Sequence, residues 1–323
     1  MIFDIIIFIL LVLISFFPIV LWAYIFSYID NNPLNKKRFI VGIVGGVLSV
    51  VPILYLDKFL DIFDFKILNI FYYVSNIKGL FSSFEFGISL SLFLLFLVFF
   101  SLLIGGFFNK FGKVSKVYFK NILVFLIFIL FLTLGVYLFS VLFSSINLVI
   151  SDPVYFGDIV FNSFKLIVFY YLLVAFIEET SKHFNFLQSS VLYIDTVKNG
   201  VLYSIFVALG FSLIENILYL HSYYSTYGLT GELAKIYFFR SIFSVIVHVL
   251  SSSVVAYYFS RALLLYREKD FSLSYLKIFF YGLFISIILH LFFDVALTLG
   301  FSIVIFLYFI GGYLYVSSIF YME

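Results

Sequence analysis

The chain contains no cysteine, so disulfides and thiolate metal sites are both excluded. It is also short of charge. Asp, Glu, Lys and Arg supply 11% of the 323 residues, against about 25% in a soluble domain. That excludes a soluble globular fold. There is no low-complexity linker, no clear internal repeat, and no serine nucleophile motif with an obvious base. Net charge is only +2. It points to no nucleic-acid partner, and in a membrane protein the placement of charge matters more than its sum.

What fills the chain is apolar: 64% hydrophobic residues and a mean hydropathy of +1.20. The class is an all-α, polytopic transmembrane helix bundle in the cell membrane, with the lipid bilayer as its solvent. A helix needs about 20 apolar residues to cross the hydrocarbon core. Runs of that length fall at 3–28, 39–56, 86–108, 122–149, 160–182, 200–221, 236–260, 275–298 and 300–320, about nine spans. The stretch 57–85 is apolar but carries three Asp, one Glu and three Lys, and reads as an interfacial amphipathic segment. The first run lacks a basic leader region and carries Asp4, so it reads as a retained span rather than a cleaved signal.

Basic residues set the orientation. The odd-numbered loops hold Lys36, Lys37 and Arg38, then Lys110, Lys113, Lys116 and Lys120, then Lys182 and Lys198, then Arg261, Arg267, Lys269 and Lys277. That is 13 of the 19 basic residues. The reading places the N-terminus outside and the C-terminus in the cytoplasm.

Ionisable groups inside the spans are the informative exception. A charged side chain at mid-bilayer depth costs about 2.5–3.5 kcal/mol on insertion scales. Spans one to four are nearly free of such groups, while spans five to eight each carry them. Glu178 and Glu179 stand beside Lys182, within reach at i+3 and i+4. Their bland alternative is a neutralised cluster at the cytoplasmic interface. Glu215-Asn216 follows Gly210, which permits close helix approach; the alternative is a polar pair gluing helices. His248 lies mid-span, with Arg240 eight residues earlier on a similar face. Here the alternatives are a satisfied histidine and an arginine snorkelling to the interface. His290 and Asp294 share a helix face at i and i+4, as a tautomer-fixing pair or a buried structural one.

Four consecutive helices with such groups must turn them towards one another or towards a wet cavity. The parts suit hydrolysis within the membrane. A carboxylate can take a proton from water. Histidines can stabilise an oxyanion or hold a divalent metal such as zinc, with Glu215, His248 and His290 as the candidate ligands. The other reading is a non-catalytic membrane protein that binds a cation, a peptide or a partner helix in the same cavity. The span boundaries raise a depth problem. Glu178 falls towards the cytoplasmic end of span five and Glu215 towards the outer end of span six. Convergence requires span five to continue past Lys182, or span six to start later than Asn199.

At these residues the chain resembles the PrsW family of intramembrane proteases, within the wider group of CAAX prenyl protease-like proteins. The resemblance rests on Glu178-Glu179-Thr-Ser-Lys182, then Gly210-Phe211-Ser-Leu-Ile-Glu215-Asn216-Ile-Leu-Tyr219, then Arg240 with His248, then His290-Leu-Phe-Phe-Asp294. The set appears in order on consecutive spans and covers about 165–298. Ser241 departs from the family pattern, which often has Ala there. The resemblance implies proteolysis of a single-pass, membrane-anchored regulator such as an anti-sigma factor. It makes Glu178 and Glu179 the water-activating pair. Glu215, His248 and His290 complete the centre, Lys182, Asn216 and Arg240 support it, and Asp294 orients His290. It divides the chain into accessory helices over 1–158 and a protease core over 159–323.

Overall fold

The computed structural model describes residues 2–29, 33–54, 149–156, 159–267 and 273–321. The spans read at 86–108 and 122–149 and the interfacial segment 57–85 lie outside the described residues, save Val149. The described elements are α1 (Ile2–Ser27), α2 (Pro33–Ser49), a single turn α3 (Val51–Leu54), strands β1 (Val149–Phe156) and β2 (Ile159–Ser163), and α4 (Phe164–Ser190). They continue with α5 (Val197–Tyr227), α6 (Gly231–Phe239), a π-helical turn at Arg240–Ser244, α7 (Val245–Tyr266), α8 (Leu273–Thr298) and α9 (Ser302–Tyr321).

The described residues are helical as expected, with two differences in detail. The all-α bundle has one exception, an antiparallel hairpin in which Phe156 pairs with Ile159 and Val149 with Ser163. The helix expected from residue 160 therefore starts at Phe164 and runs on to Ser190. That is well past Lys182, as convergence requires.

Six described helical segments are long and apolar enough to cross a membrane: Asp4–Ser27, Lys37–Leu54, Val197–Tyr227, Gly231–Leu265, Lys277–Thr298 and Ile303–Phe320. The protein is an integral membrane protein. Helix α4, at 27 residues, is long enough but too charged to join them. Every 18-residue window in it holds at least three of Lys165, Glu178, Glu179 and Lys182. From Glu179 to Leu187 every residue is buried, so this polar half of α4 is enclosed by protein and shielded from lipid.

By contacts the chain forms two compact units, one of Met1–Val50, Glu179–His290 and Ile303–Glu323, the other of Val51–Glu178 and Leu291–Ser302. The boundary runs through continuous helices α4 and α8. Within the second unit, the Thr298 hydroxyl donates to the Tyr171 hydroxyl at 2.6 Å. Helix α8 ends there in a glycine cap, with Gly300 at φ +74° and Phe301 N–H returning to Ala296 O at 2.9 Å. That geometry stops a helix by satisfying its last carbonyls.

In the first unit, α5 is the axis. Thr196 caps its start by accepting from Asn199 N–H at 3.1 Å. Helix α2 crosses it at backbone contact. A β-carbon on Gly46 would lie 2.0 Å from Val207 O, and one on Gly210 would lie 2.0 Å from Ile43 O. Small residues let helix backbones meet in this way where no hydrophobic force acts between helices. Phe39 stacks on Phe206 with centroids 4.1 Å apart just beside this crossing. Gly46→Leu is expected to force α2 off α5 and sharply lower the yield of folded protein, read by thermal unfolding in detergent. Gly311→Leu, with open space around its β-carbon position, is the matched control and should be tolerated.

Helix α1 packs Ile7 and Leu11 against Leu220 and Leu233. Pro18 inside α1 cannot donate to Ile14 O, four residues back. The Tyr237 hydroxyl supplies the missing donor at 3.2 Å, as a low-dielectric setting demands.

Candidate active site

Helix α4 extends beyond Lys182, and its ionisable groups meet those of α7 and α8. Counting from Phe164, Glu178 and Glu179 are residues 15 and 16 of 27 in α4. Counting from Val197, Glu215 is residue 19 of 31 in α5. His248 is residue 18 of the 35 in the segment Gly231–Leu265. Counting from Leu273, His290 is residue 18 of 26 in α8. All stand towards the middle of their helices, and those of α5, α7 and α8 lie in segments long and apolar enough to cross a core about 30 Å thick.

The groups form one hydrogen-bonded chain. Arg240 Nη2 lies 3.0 Å from Glu215 Oε2. The same oxygen lies 2.6 Å from His248 Nε2. His248 Nδ1 lies 3.0 Å from Lys182 Nζ. Lys182 Nζ donates to Glu179 Oε1 at 2.6 Å, and that oxygen also meets His290 Nδ1 at 2.6 Å. Glu179 Oε2 accepts from the Ser286 hydroxyl at 3.1 Å. Glu179 is 0% and Lys182 is 1% exposed. Two charges this deep persist only as a hydrogen-bonded pair.

Glu215 turns inward, away from lipid. Arg240 does not snorkel: its Nε donates to Asn216 Oδ1 at 3.1 Å and its Nη2 to Ser244 Oγ at 3.2 Å. Its guanidinium also lies 3.7 Å from the centre of the Tyr219 ring. The π-helical turn begins at Arg240 and ends at Ser244, and such insertions often mark functional positions. Ser241, in the same turn, offers its carbonyl to Trp22 Nε1–H at 3.1 Å. This docks α1 against the π turn.

Every position of the α5 motif thus has a physical use. Gly210 admits α2. The Phe211 ring lies 4.7 Å from Lys182 Nζ and 5.1 Å from the His248 ring. Glu215 and Asn216 hold Arg240, and Tyr219 lies against its cation. Phe211 entered the sequence reading only as part of the α5 motif, and Ser286 was not singled out. Ser286 sits four residues before His290, on the same helical face, and that spacing was the available signal. His183 goes elsewhere, packed among Phe186, Phe259 and Phe279. Asp294 lies one turn beyond His290 and is half-buried, while the carboxylate on His290 Nδ1 belongs to Glu179.

Glu178 is the residue before Glu179 in α4 and is 5% exposed. One carboxylate oxygen of Glu178 and one ring nitrogen each of His248 and His290 lie within 4.8 Å of one another. The sequence reading had Glu215 in that trio; Glu215 Oε2 is engaged by Arg240 and His248. Two imidazoles and a carboxylate are a donor set that suits zinc. Zinc bonds of about 2.0–2.2 Å keep tetrahedral ligands roughly 3.4 Å apart, so a metal would draw these atoms closer.

Buried carboxylates and imidazoles that meet among apolar helices suit the class of intramembrane hydrolases. Consistent with that class, residues 121–322 match the model of the PrsW family intramembrane metalloproteases. The match spans more than half of the chain, which belongs to this family and is a hydrolase. Comparison with curated proteins and with solved structures gives no match.

Proposed function

We propose that the chain is an intramembrane endopeptidase that cleaves a single-pass, anti-sigma-factor-like regulator. The observation that carries this reading is the convergence of Glu178, His248 and His290 beside the bonded chain running from Arg240 to Ser286. Glu178 holds the attacking water and takes its proton. The resulting hydroxide adds to the scissile carbonyl carbon, and the Lys182 ammonium faces the developing oxyanion. As the carbon–nitrogen bond breaks, Glu178 passes its proton to the leaving amine. Glu179, an acceptor-only carboxylate, keeps the His290 proton on Nδ1 and leaves the electron pair on Nε2.

Glu178, through one carboxylate oxygen, His248 and His290 would hold a divalent metal such as zinc, with the other Glu178 oxygen left to the water. A bound metal supplies Lewis-acid polarisation and lowers the pKa of water. Asn216 and Arg240 hold Glu215 in place, and Asp294 acts on His290 from one turn away. Nine spans, with the N-terminus outside and the C-terminus cytoplasmic, put the site within spans five to eight. Residues 1–158 are accessory transmembrane helices, and 159–323 form the protease core.

The test is reconstitution with a single-pass reporter. His290→Ala should abolish cleavage while Trp22 fluorescence and thermal unfolding stay as in the parent. Stringent chelation should stop cleavage, and added zinc should restore it. Full activity of His290→Ala overturns the mechanism. Full activity after chelation removes the metal from it and leaves the glutamate chemistry.

A further inference from the structure

A neutral imidazole has one N–H donor and one electron pair. At His248 both nitrogens are engaged. Lys182 Nζ, which can only donate, lies 3.0 Å from Nδ1. Glu215 Oε2, which also pairs with Arg240, lies 2.6 Å from Nε2. An ionised carboxylate can only accept, so the His248 proton is on Nε2 and its electron pair is on Nδ1, aimed at the ammonium. His290 is arranged the opposite way. Its Nδ1 faces the Glu179 carboxylate at 2.6 Å, which places the electron pair on Nε2. The same Glu179 oxygen holds Lys182 at 2.6 Å, and Phe211 covers the ammonium from 4.7 Å. Lys182 thus bridges a carboxylate and an imidazole electron pair, as a metal cation would.

We propose that Lys182 is a resident cation that competes with the divalent metal for His248: the metal gains Nδ1 only when the ammonium withdraws. This rests on the metal assignment made above. Besides facing the oxyanion, Lys182 then sets the tautomer of His248 and the metal affinity together. A lysine tethered at i+3 to Glu179 suits the task, because a four-carbon stem can swing the ammonium aside without unfolding α4. The consequence is a site that binds metal weakly at rest, and tightens when an incoming peptide carbonyl gives Lys182 another partner.

The experiment uses the full chain in detergent or nanodiscs, with zinc and cobalt as probes and a competing chelator to fix affinity. Lys182→Gln should bind either metal more tightly by about 10–100-fold, the range over which groups touching metal ligands tune such sites. Lys182→Arg, which keeps the charge, should show no gain. Equal affinity of Lys182→Gln and the parent overturns the competition while leaving the metal assignment intact. No binding by any form overturns both, and reporter cleavage without metal would then stand alone. Nitrogen NMR of the metal-free parent is independent of whether the Lys182 variants fold. The His248 signals, identified by their loss in His248→Gln, should report the Nε2–H tautomer, and an Nδ1–H tautomer overturns the proposal.

Discussion

Glu178→Gln is expected to lose at least about 10²–10⁴-fold in reporter cleavage, the span attributed to a positioned general base, with thermal unfolding unchanged. Glu179→Gln, one residue along, is expected to fail differently. Glu179 bonds Lys182, His290 and Ser286 at once. Its neutral amide would leave Lys182 as a fully buried cation without a counter-charge. Breaking one side of such a pair costs about 3–5 kcal/mol, so Glu179→Gln should unfold at lower temperature and express poorly. The distinction rests on what each carboxylate touches. Glu179 is consumed by structural partners, whereas Glu178 is grouped with the two imidazoles. Equal stability loss in both variants, or full cleavage by Glu178→Gln, would overturn the division of labour.

The second large effect concerns Arg240. It lies 11% exposed against Glu215 at 17%, in hydrogen-bond reach of Asn216 and Ser244. Arg240→Met should leave the Glu215 carboxylate opposed only by His248 and cost about 3 kcal/mol, at the lower end for a buried pair that loses one partner. Removing both charges, in Arg240→Met with Glu215→Leu, should return most of that stability, because no uncompensated charge remains. Activity should not return, since His248 then loses the acceptor that fixes its proton. A double-mutant cycle by thermal unfolding, run beside reporter cleavage, measures both. Additive stability losses would show that the two side chains do not interact.

The membrane class follows from composition alone, because 11% charge cannot clothe a soluble fold of this length. Seven expected spans have described helical counterparts, displaced by a few residues, because long apolar runs leave the backbone no alternative to helix in lipid. The polar residues were also legible, since a buried charge is conspicuous against such a background. Their spacing even placed Arg240 and His248 together, although a π turn in between was invisible.

Three things required tertiary structure. The first is depth. A hydropathy reading ends α4 at its charges, but the helix continues to Ser190, because neighbouring helices enclose residues that lipid would reject. The second is the support from outside the motif. Gly46 in α2 does not by itself reveal that it faces Gly210, a pairing between helices far apart in sequence. The third is the inequality of two adjacent glutamates. Successive residues on a helix point about 100° apart, so Glu178 and Glu179 enter different surroundings. Residue type supplies the acids and the bases, and only the packing of α4 among α5, α7 and α8 decides which of them holds the site together and which remains grouped with the imidazoles.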